Sequence, residues 1–183
     1  MKKTILTFGL ISGVLSSLMM VATVPLLDKI GYDRGEFFGY TAMVLSFLLV
    51  FFGIRSYRDN VGHGRITFTE GFVVGISITL ISCVFYVVTW EGLYFTVLHD
   101  FMDKYGAYMI GKLKASGASA AAAQAQLQQL KKYKELYENP LFNAAMTFIE
   151  PFPVGLLITL ISAAVLRKKP QSQPAQSPLP ASH

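Results

Sequence analysis

Two glutamates at the margins of long apolar segments are the residues of this sequence best suited to chemistry. Glu91 follows an apolar run that begins at Gly71, and Glu150 lies in an apolar segment that ends before Arg167. At about 1.5 Å per helical residue, Glu91 lies about 30 Å from Gly71 and Glu150 about 25 Å from Arg167, so their depths are similar. Acids inside a bilayer mark a pathway, an ion pair or a ligand site, whereas acids at headgroup level simply reach water. We favour interfacial acids and keep a functional pair as the alternative.

The other residue types that catalyse reactions or bind metals lack a suitable spacing. His63, His99 and His183 are scattered, without the short His and Glu spacings of zinc sites. Cys83 lies within an apolar segment with no base nearby, so it lacks the surroundings that activate a thiol. No serine occupies a Gly-x-Ser-x-Gly context. We therefore expect no catalytic residue, no metal and no cofactor, and a protein that is not an enzyme.

Two apolar segments carry small residues at intervals of four. These residues are Gly9, Gly13 and Ser17 in the first segment and Gly71, Gly75 and Thr79 in the third. Small residues at this spacing let helix backbones approach closely in lipid. We predict that the two segments form a parallel pair through these faces. Residues 74–82 also resemble residues 154–162, which we interpret as convergence on a good packing sequence, with an internal repeat as the alternative.

Four apolar segments must position these residues. Residues 4–27, 37–54 and 71–90 carry no formal charge, and residues 139–166 carry only Glu150. A helix needs about 20 apolar residues to cross a bilayer core, and backbone groups in lipid must bond within their own segment. We therefore predict an all-α polytopic membrane protein. The predicted transmembrane helices are residues 4–27, 37–54, 71–97 and 141–166, within a membrane domain of residues 1–169.

Composition agrees with a membrane protein. Of the 183 residues, 52% are hydrophobic and 15% are charged, against about 25% charged in an average soluble domain. The net charge is +5, and the basic residues cluster beside the apolar segments. We expect these residues to contact anionic lipids and not nucleic acid. We also expect the first apolar segment to be a retained span and not a cleaved signal, because it is longer than a signal core.

The basic residues near the span ends predict the orientation. Residues 2–3, 55–65 and 167–169 place lysine or arginine next to spans at one end. The first loop at the other end balances its bases with acids, and most lysines of the long loop are distant from the spans. By the positive-inside rule, both termini should be cytoplasmic.

Residues 100–138 form the only sizeable segment predicted to face water, and we expect an extracytoplasmic helical hairpin there. Phe101, Tyr105 and Tyr108 belong to one amphipathic stripe, Gly117 suits the turn, and Ser119 suits a helix N-cap. The stripes should pack on each other or on the membrane, with an envelope partner at the hairpin as the alternative. Residues 170–183 are rich in proline, serine and glutamine, which predicts a disordered cytoplasmic tail.

Several short strings together resemble one family. They are residues 1–6, 52–59, 88–91, 101–105, 112–118 and 137–142. These strings are similar to the bacterial multi-pass membrane proteins grouped as domain of unknown function 4199, over about residues 1–169. The chain departs from the pattern in residues 120–123 and in its tail. The resemblance implies four spans and a bacterial cytoplasmic (inner) membrane location, and it brings no assigned activity.

Two functions stay open at this point. The first is a non-enzymatic structural or interaction protein of the bacterial cell envelope, acting through helix packing and the hairpin. The second is a small transporter or channel-like subunit that uses Glu91 and Glu150 and forms a homo-oligomer, since four spans enclose little space. A cavity that joins the two acids would favour transport, whereas an exposed aromatic hairpin face would favour a partner.

Overall fold

A computed structural model describes residues 1–168 of the chain, and the predicted tail at residues 170–183 lies outside them. The described part is helical. Its helices are α1 (Lys2–Thr23), α2 (Leu27–Ile30), α3 (Tyr32–Asn60), α4 (Phe68–Thr96), α5 (Phe101–Ala115), α6 (Ala120–Tyr137), α7 (Pro140–Ile149) and α8 (Pro151–Leu166). Four helical segments are long and apolar enough to cross a membrane, namely Lys2–Ile30, Tyr32–Asn60, Phe68–Thr96 and Pro140–Leu166. The all-α prediction with four membrane helices is confirmed.

Proline divides the first and the fourth of these segments. Between α1 and α2 lies a short 3-10 turn, Val24–Leu26, that contains Pro25. The fourth segment changes from α7 to α8 at Glu150, which is followed by Pro151. Proline has no amide hydrogen and collides with the carbonyl four residues earlier, so a regular helix cannot continue through it. The fourth membrane segment therefore consists of two helices, α7 and α8, that meet at Glu150.

The helix boundaries follow local capping chemistry. Thr67 and Glu70 form a reciprocal capping box at the start of α4. The Ser119 hydroxyl accepts the Ala122 amide at 3.2 Å and begins α6, as predicted. Gly117 has a φ of +82°, a left-handed conformation that glycine adopts without steric cost. These side chains satisfy amide groups that would otherwise lack partners in the first helical turn.

The helix α4 occupies the centre of the bundle and contacts α1, α3, α7 and α8. At one end of the bundle, Ile66 and Lys168 exchange backbone hydrogen bonds of 3.3 and 2.9 Å, which tie the α3–α4 loop to the end of α8. We call this the Ile66–Lys168 end. At the opposite end α5 and α6 cover the spans, and we call it the α5–α6 end. Many large apolar side chains on the outer surface are exposed, for example Leu18 and Val165, as contact with lipid requires.

The small-residue face of α1 packs on α4, but not on the small-residue face of α4. Gly9 lies against Ile81 and Gly13 against Phe85, so close that a Cβ at Gly13 would come within 2.6 Å of the Phe85 ring. One turn further, the Thr89 hydroxyl donates to the Ser17 hydroxyl at 2.7 Å. Because the pairs advance together along both helices, α1 and α4 are parallel. The two small-residue faces therefore do not pack on each other as predicted. Instead, the glycines of α1 accommodate bulky side chains of α4.

The small-residue face of α4 instead packs on α8. Thr79 and Thr159 hydroxyls lie 3.1 Å apart in the buried interface. A Cβ at Gly75 would meet Thr159, and a Cβ at Gly155 would meet Thr79. The two similar strings, residues 74–82 and 154–162, therefore pack on each other in a reciprocal, antiparallel arrangement. Gly71 extends this contact and lies against Ala163.

Candidate functional site

A cavity of about 440 Å³ lies at the α5–α6 end of the bundle. Its walls come from α1, α3, α4 and α7, and α5 and α6 form its roof. Its aromatic lining residues are Tyr32, Tyr40, Tyr86, Trp90, Phe101, Tyr105, Tyr108, Tyr133 and Tyr137. The charged side chains that line it are Asp33, Glu36, Glu150 and Lys112. Cavities of about 300–1,000 Å³ with apolar walls and a few polar groups are typical of small-molecule sites.

One face of α7 brings polar groups to the cavity wall. Asn139 caps α7 through its side-chain oxygen, and Pro140 occupies the first turn. Asn143, Thr147 and Glu150 then follow at intervals of four and three residues, which places them on one helix face. The fully buried Asn143 amide donates to the Tyr137 carbonyl at 3.2 Å, and the Thr147 hydroxyl donates to the Asn143 side-chain oxygen at 3.2 Å. These bonds satisfy polar groups that would be costly to bury alone.

Glu150 lies at the break between α7 and α8 and is exposed to the cavity. The Tyr86 hydroxyl donates to its carboxylate at 3.1 Å, and Glu36 of α3 lies within electrostatic range. Pro151 and Pro153 carry no amide hydrogen, so the carbonyls of Thr147 and Ile149 lose the donors of a continuous helix. At this break, Thr147 and Glu150 both line the cavity.

Trp90 forms the floor of the cavity on the α4 side. Its side chain is 9% exposed, and its indole N–H makes no hydrogen bond among the described residues. The Tyr137 hydroxyl is its near neighbour without reaching hydrogen-bonding geometry, and burial raises the pKa of Tyr137 to about 12. The Trp90 ring packs edge-on against Phe101 with centroids 5.0 Å apart. A buried indole N–H normally has a partner, and the Tyr137 hydroxyl is the nearest acceptor for this one.

The α5–α6 roof is held by aromatic and ionic contacts. Tyr32 of α3 packs against Phe101, Tyr105 and Tyr108 of α5, with the shortest centroid distance of 5.0 Å to Tyr108. The aromatic stripe of α5 is therefore turned towards the bundle.

Three ion pairs join lysines of α5 and α6 to acids of other helices, and each raises the pKa of its lysine. Lys104 contacts Asp28 at 2.7 Å, Lys112 contacts Asp33 at 2.6 Å, and Lys134 contacts Asp103 at 2.6 Å. The hydrogen bond from each lysine to its carboxylate is the main cause of the raised pKa. Such exposed pairs add little to stability, because water and salt screen them.

The structure separates the two glutamates that the sequence singles out. Glu150 lines the cavity, whereas Glu91 does not, and one carboxylate oxygen of Glu91 has no hydrogen-bond partner among residues 1–168. Glu36 of α3 is the other glutamate of the cavity lining. Cys83 is fully buried in the bundle core. Within the described residues no three histidine, cysteine, aspartate or glutamate side chains are grouped closely enough to hold a metal ion.

Sequence reasoning missed Asn143, Thr147, Glu36 and Trp90 as lining or supporting residues of one site. The spacing of Asn143, Thr147 and Glu150 within an apolar segment was a readable signal, since polar residues on one face of a membrane helix point away from lipid. Glu36 and Trp90 gave no such signal. They come from different helices, and only their packing brings them to one cavity.

Comparison with known proteins identifies the family. No curated protein and no solved structure shows significant similarity to the chain. The family described as "Protein of unknown function (DUF4199)" matches residues 7–168. Since this match covers nearly all of the described helices, the chain belongs to the DUF4199 family of proteins of unknown function.

Proposed function

We propose that this chain is a non-enzymatic integral membrane protein that binds a small molecule in the cavity at the α5–α6 end. The single observation that carries the proposal is the cavity itself, with its nine-residue aromatic lining and its three carboxylates. A bundle that served only as a scaffold would fill such a space with side chains, because interiors pack densely. The proposal assigns the cavity a binding role and no reaction.

Transport of the bound molecule is a second candidate. The α7–α8 break at Glu150 favours it, because discontinuous membrane helices often line substrate sites in transporters. The acid pair of this candidate is Glu36 and Glu150, in place of the pair Glu91 and Glu150 expected from the sequence. A docking role for the hairpin has less support, since the aromatic stripe of α5 contacts Tyr32 and the cavity.

We further propose the bacterial cytoplasmic membrane as the location, with both termini in the cytoplasm and the α5–α6 pair outside. Basic residues near the span ends support this orientation. Arg55, Arg58 and Arg65 belong to the same end as the Ile66–Lys168 backbone contact. Anionic lipid headgroups would neutralise these bases.

An alkaline phosphatase fusion at Gly117 tests the orientation. Gly117 lies in the turn between α5 and α6 with open space around it. The phosphatase folds only outside the cytoplasm, so we expect an active fusion at Gly117 and an inactive fusion at His63, in the loop at the opposite end. The reverse pattern would invert the proposed topology.

The fluorescence of Trp90 tests binding directly, because this residue is the only tryptophan of the chain. We expect phenyltrimethylammonium, tert-butylbenzene or both to change its emission in a saturable manner in the purified, detergent-solubilised protein. Free tryptophan amide in the same detergent serves as the control for non-specific quenching. If neither probe produces a saturable change, the cavity is not a binding site for small aromatic molecules and the proposal fails.

A further inference from the structure

We infer that the cavity selects an organic cation, specifically a quaternary ammonium or protonated amine group. This inference rests on the proposed binding function and adds the chemical class of the ligand. Such a group could belong to a free solute or to a lipid headgroup, and the two sources share the same chemistry. The charge of the cavity lining and its aromatic walls support this inference.

The charge balance of the lining is negative. Three carboxylates line the cavity, and the only basic side chain among the lining residues is Lys112. Lys112 already contacts the Asp33 carboxylate at 2.6 Å. Glu36 and Glu150 therefore face the cavity without a basic partner among its lining residues. A ligand with one positive charge would relieve their mutual repulsion, whereas an anion would increase it.

The aromatic walls suit the same kind of ligand. Tyr86 donates a hydrogen bond to Glu150 at 3.1 Å, and Tyr40, Trp90, Tyr105 and Tyr133 line the same cavity. The faces of aromatic rings attract cations, and quaternary ammonium ligands are commonly held in cages of such rings. Cation–π contacts shielded from water are stronger than exposed ones. A metal ion would need several oxygen ligands at short range, and the described residues provide no such group.

Trp90 contributes its ring to the cavity and not its N–H group. The residue is nine-tenths buried and lines the cavity, while its indole nitrogen is itself buried beside the Tyr137 hydroxyl. The α4 side of the cavity therefore offers a ligand an aromatic surface rather than a hydrogen-bond donor.

The decisive experiment compares two probes of the same shape and different charge. Phenyltrimethylammonium and tert-butylbenzene differ in having a charged nitrogen or a neutral carbon at the branched centre. With the full-length protein in phosphatidylglycerol nanodiscs and Trp90 emission as readout, we expect at least about tenfold tighter binding of the cation. Equal affinity of the two probes would overturn the inference while leaving the binding function intact. Loss of both signals would contradict the binding function itself.

Substitutions assign the selectivity to the two carboxylates. Glu36→Gln and Glu150→Gln should each weaken binding of the cation by roughly tenfold and leave the neutral probe unaffected. Retained binding of the neutral probe shows that each variant is folded. Glu91→Gln is the matched control, because Glu91 lies at a similar helical depth outside the cavity, and it should bind the cation like the unmodified protein. Unchanged cation binding in the Glu36→Gln, Glu150→Gln double variant would also overturn the inference.

Lipid composition distinguishes the two sources of the cation. When phosphatidylcholine is added to the nanodiscs, a site for lipid headgroups should show competition and a higher apparent Kd for phenyltrimethylammonium. A site for free solutes should keep the same Kd. Both results are compatible with a cation site, and each assigns it to one source.

Discussion

Replacing Gly75 with leucine is expected to unfold or severely destabilise the bundle. A Cβ at this position would lie 2.7 Å from the Thr159 methyl carbon and 2.9 Å from the Ile54 Cδ1 atom. Leucine adds three further carbons to a contact that is already too short, and both neighbours are fully buried. Overpacking of a well-packed interior costs about 1–3 kcal/mol or more, so a loss of at least about 3 kcal/mol is expected here. For a chain of this size that corresponds to roughly 6–12 °C in melting temperature.

Gly92→Leu is the control for this experiment. Gly92 lies on the same helix α4, and a Cβ there would meet no atom within 4 Å. Both changes raise helix propensity equally, so the difference between them isolates the α4–α8 contact. Monodisperse protein remaining after heating, measured by size-exclusion chromatography, gives the apparent melting temperatures. Similar values for the two variants would contradict the close α4–α8 packing.

Gly155→Leu should behave like Gly75→Leu, because its Cβ would collide with Thr79.

Filling the cavity from Gly39 is expected to abolish binding without harming the fold. Gly39 lines the cavity, and a Cβ on it would meet no atom within 4 Å. Gly35 and Met43, one helical turn before and after it, are both buried. A side chain at Gly39 lies on the same helix face and therefore points inward. A leucine would occupy space that a ligand needs, and saturable Trp90 quenching by either probe should disappear.

The stability of the same variant separates occlusion from damage. Gly39→Leu should melt at the same temperature as the unmodified protein or higher, since each buried CH₂ contributes about 0.8 kcal/mol and glycine is a poor helix former. The Gly92→Leu variant has the same gain in helix propensity and should still bind both probes. A Gly39→Leu variant that is stable and still binds would place the ligand outside this cavity.

Much of the architecture was predictable because local chemistry decides it. Bilayer thickness and the need for internal hydrogen bonds require long apolar helices, and four were found. Ser119 and Gly117 behaved as predicted, since capping and left-handed turns depend on neighbouring backbone groups alone. The residues at which the helices begin and end were less predictable. Charged residues at the bundle surface, such as Asp33 and Arg58, continue α3 well beyond its apolar part.

The pairing of helix faces was not predictable from the spacing of small residues. Gly9 and Gly13 accept the bulky Ile81 and Phe85, while Gly75 approaches Thr159. A small-residue face permits close approach but does not specify its partner. The similar strings at residues 74–82 and 154–162 indicated good packing surfaces, and only the assembled bundle revealed that they pack on each other.

The four membrane helices, the capped turns and the amphipathic character of α5 follow from local sequence, because they depend on composition and on contacts within a few residues. The tertiary structure alone decided the candidate site. Glu36, Trp90 and Glu150 lie on three different helices and share a cavity, while Glu91, one residue from Trp90, is outside it. Successive residues of a helix point about 100° apart. Which of them faces a cavity therefore depends on how each helix is rotated by its neighbours, and that rotation results from packing across the whole bundle.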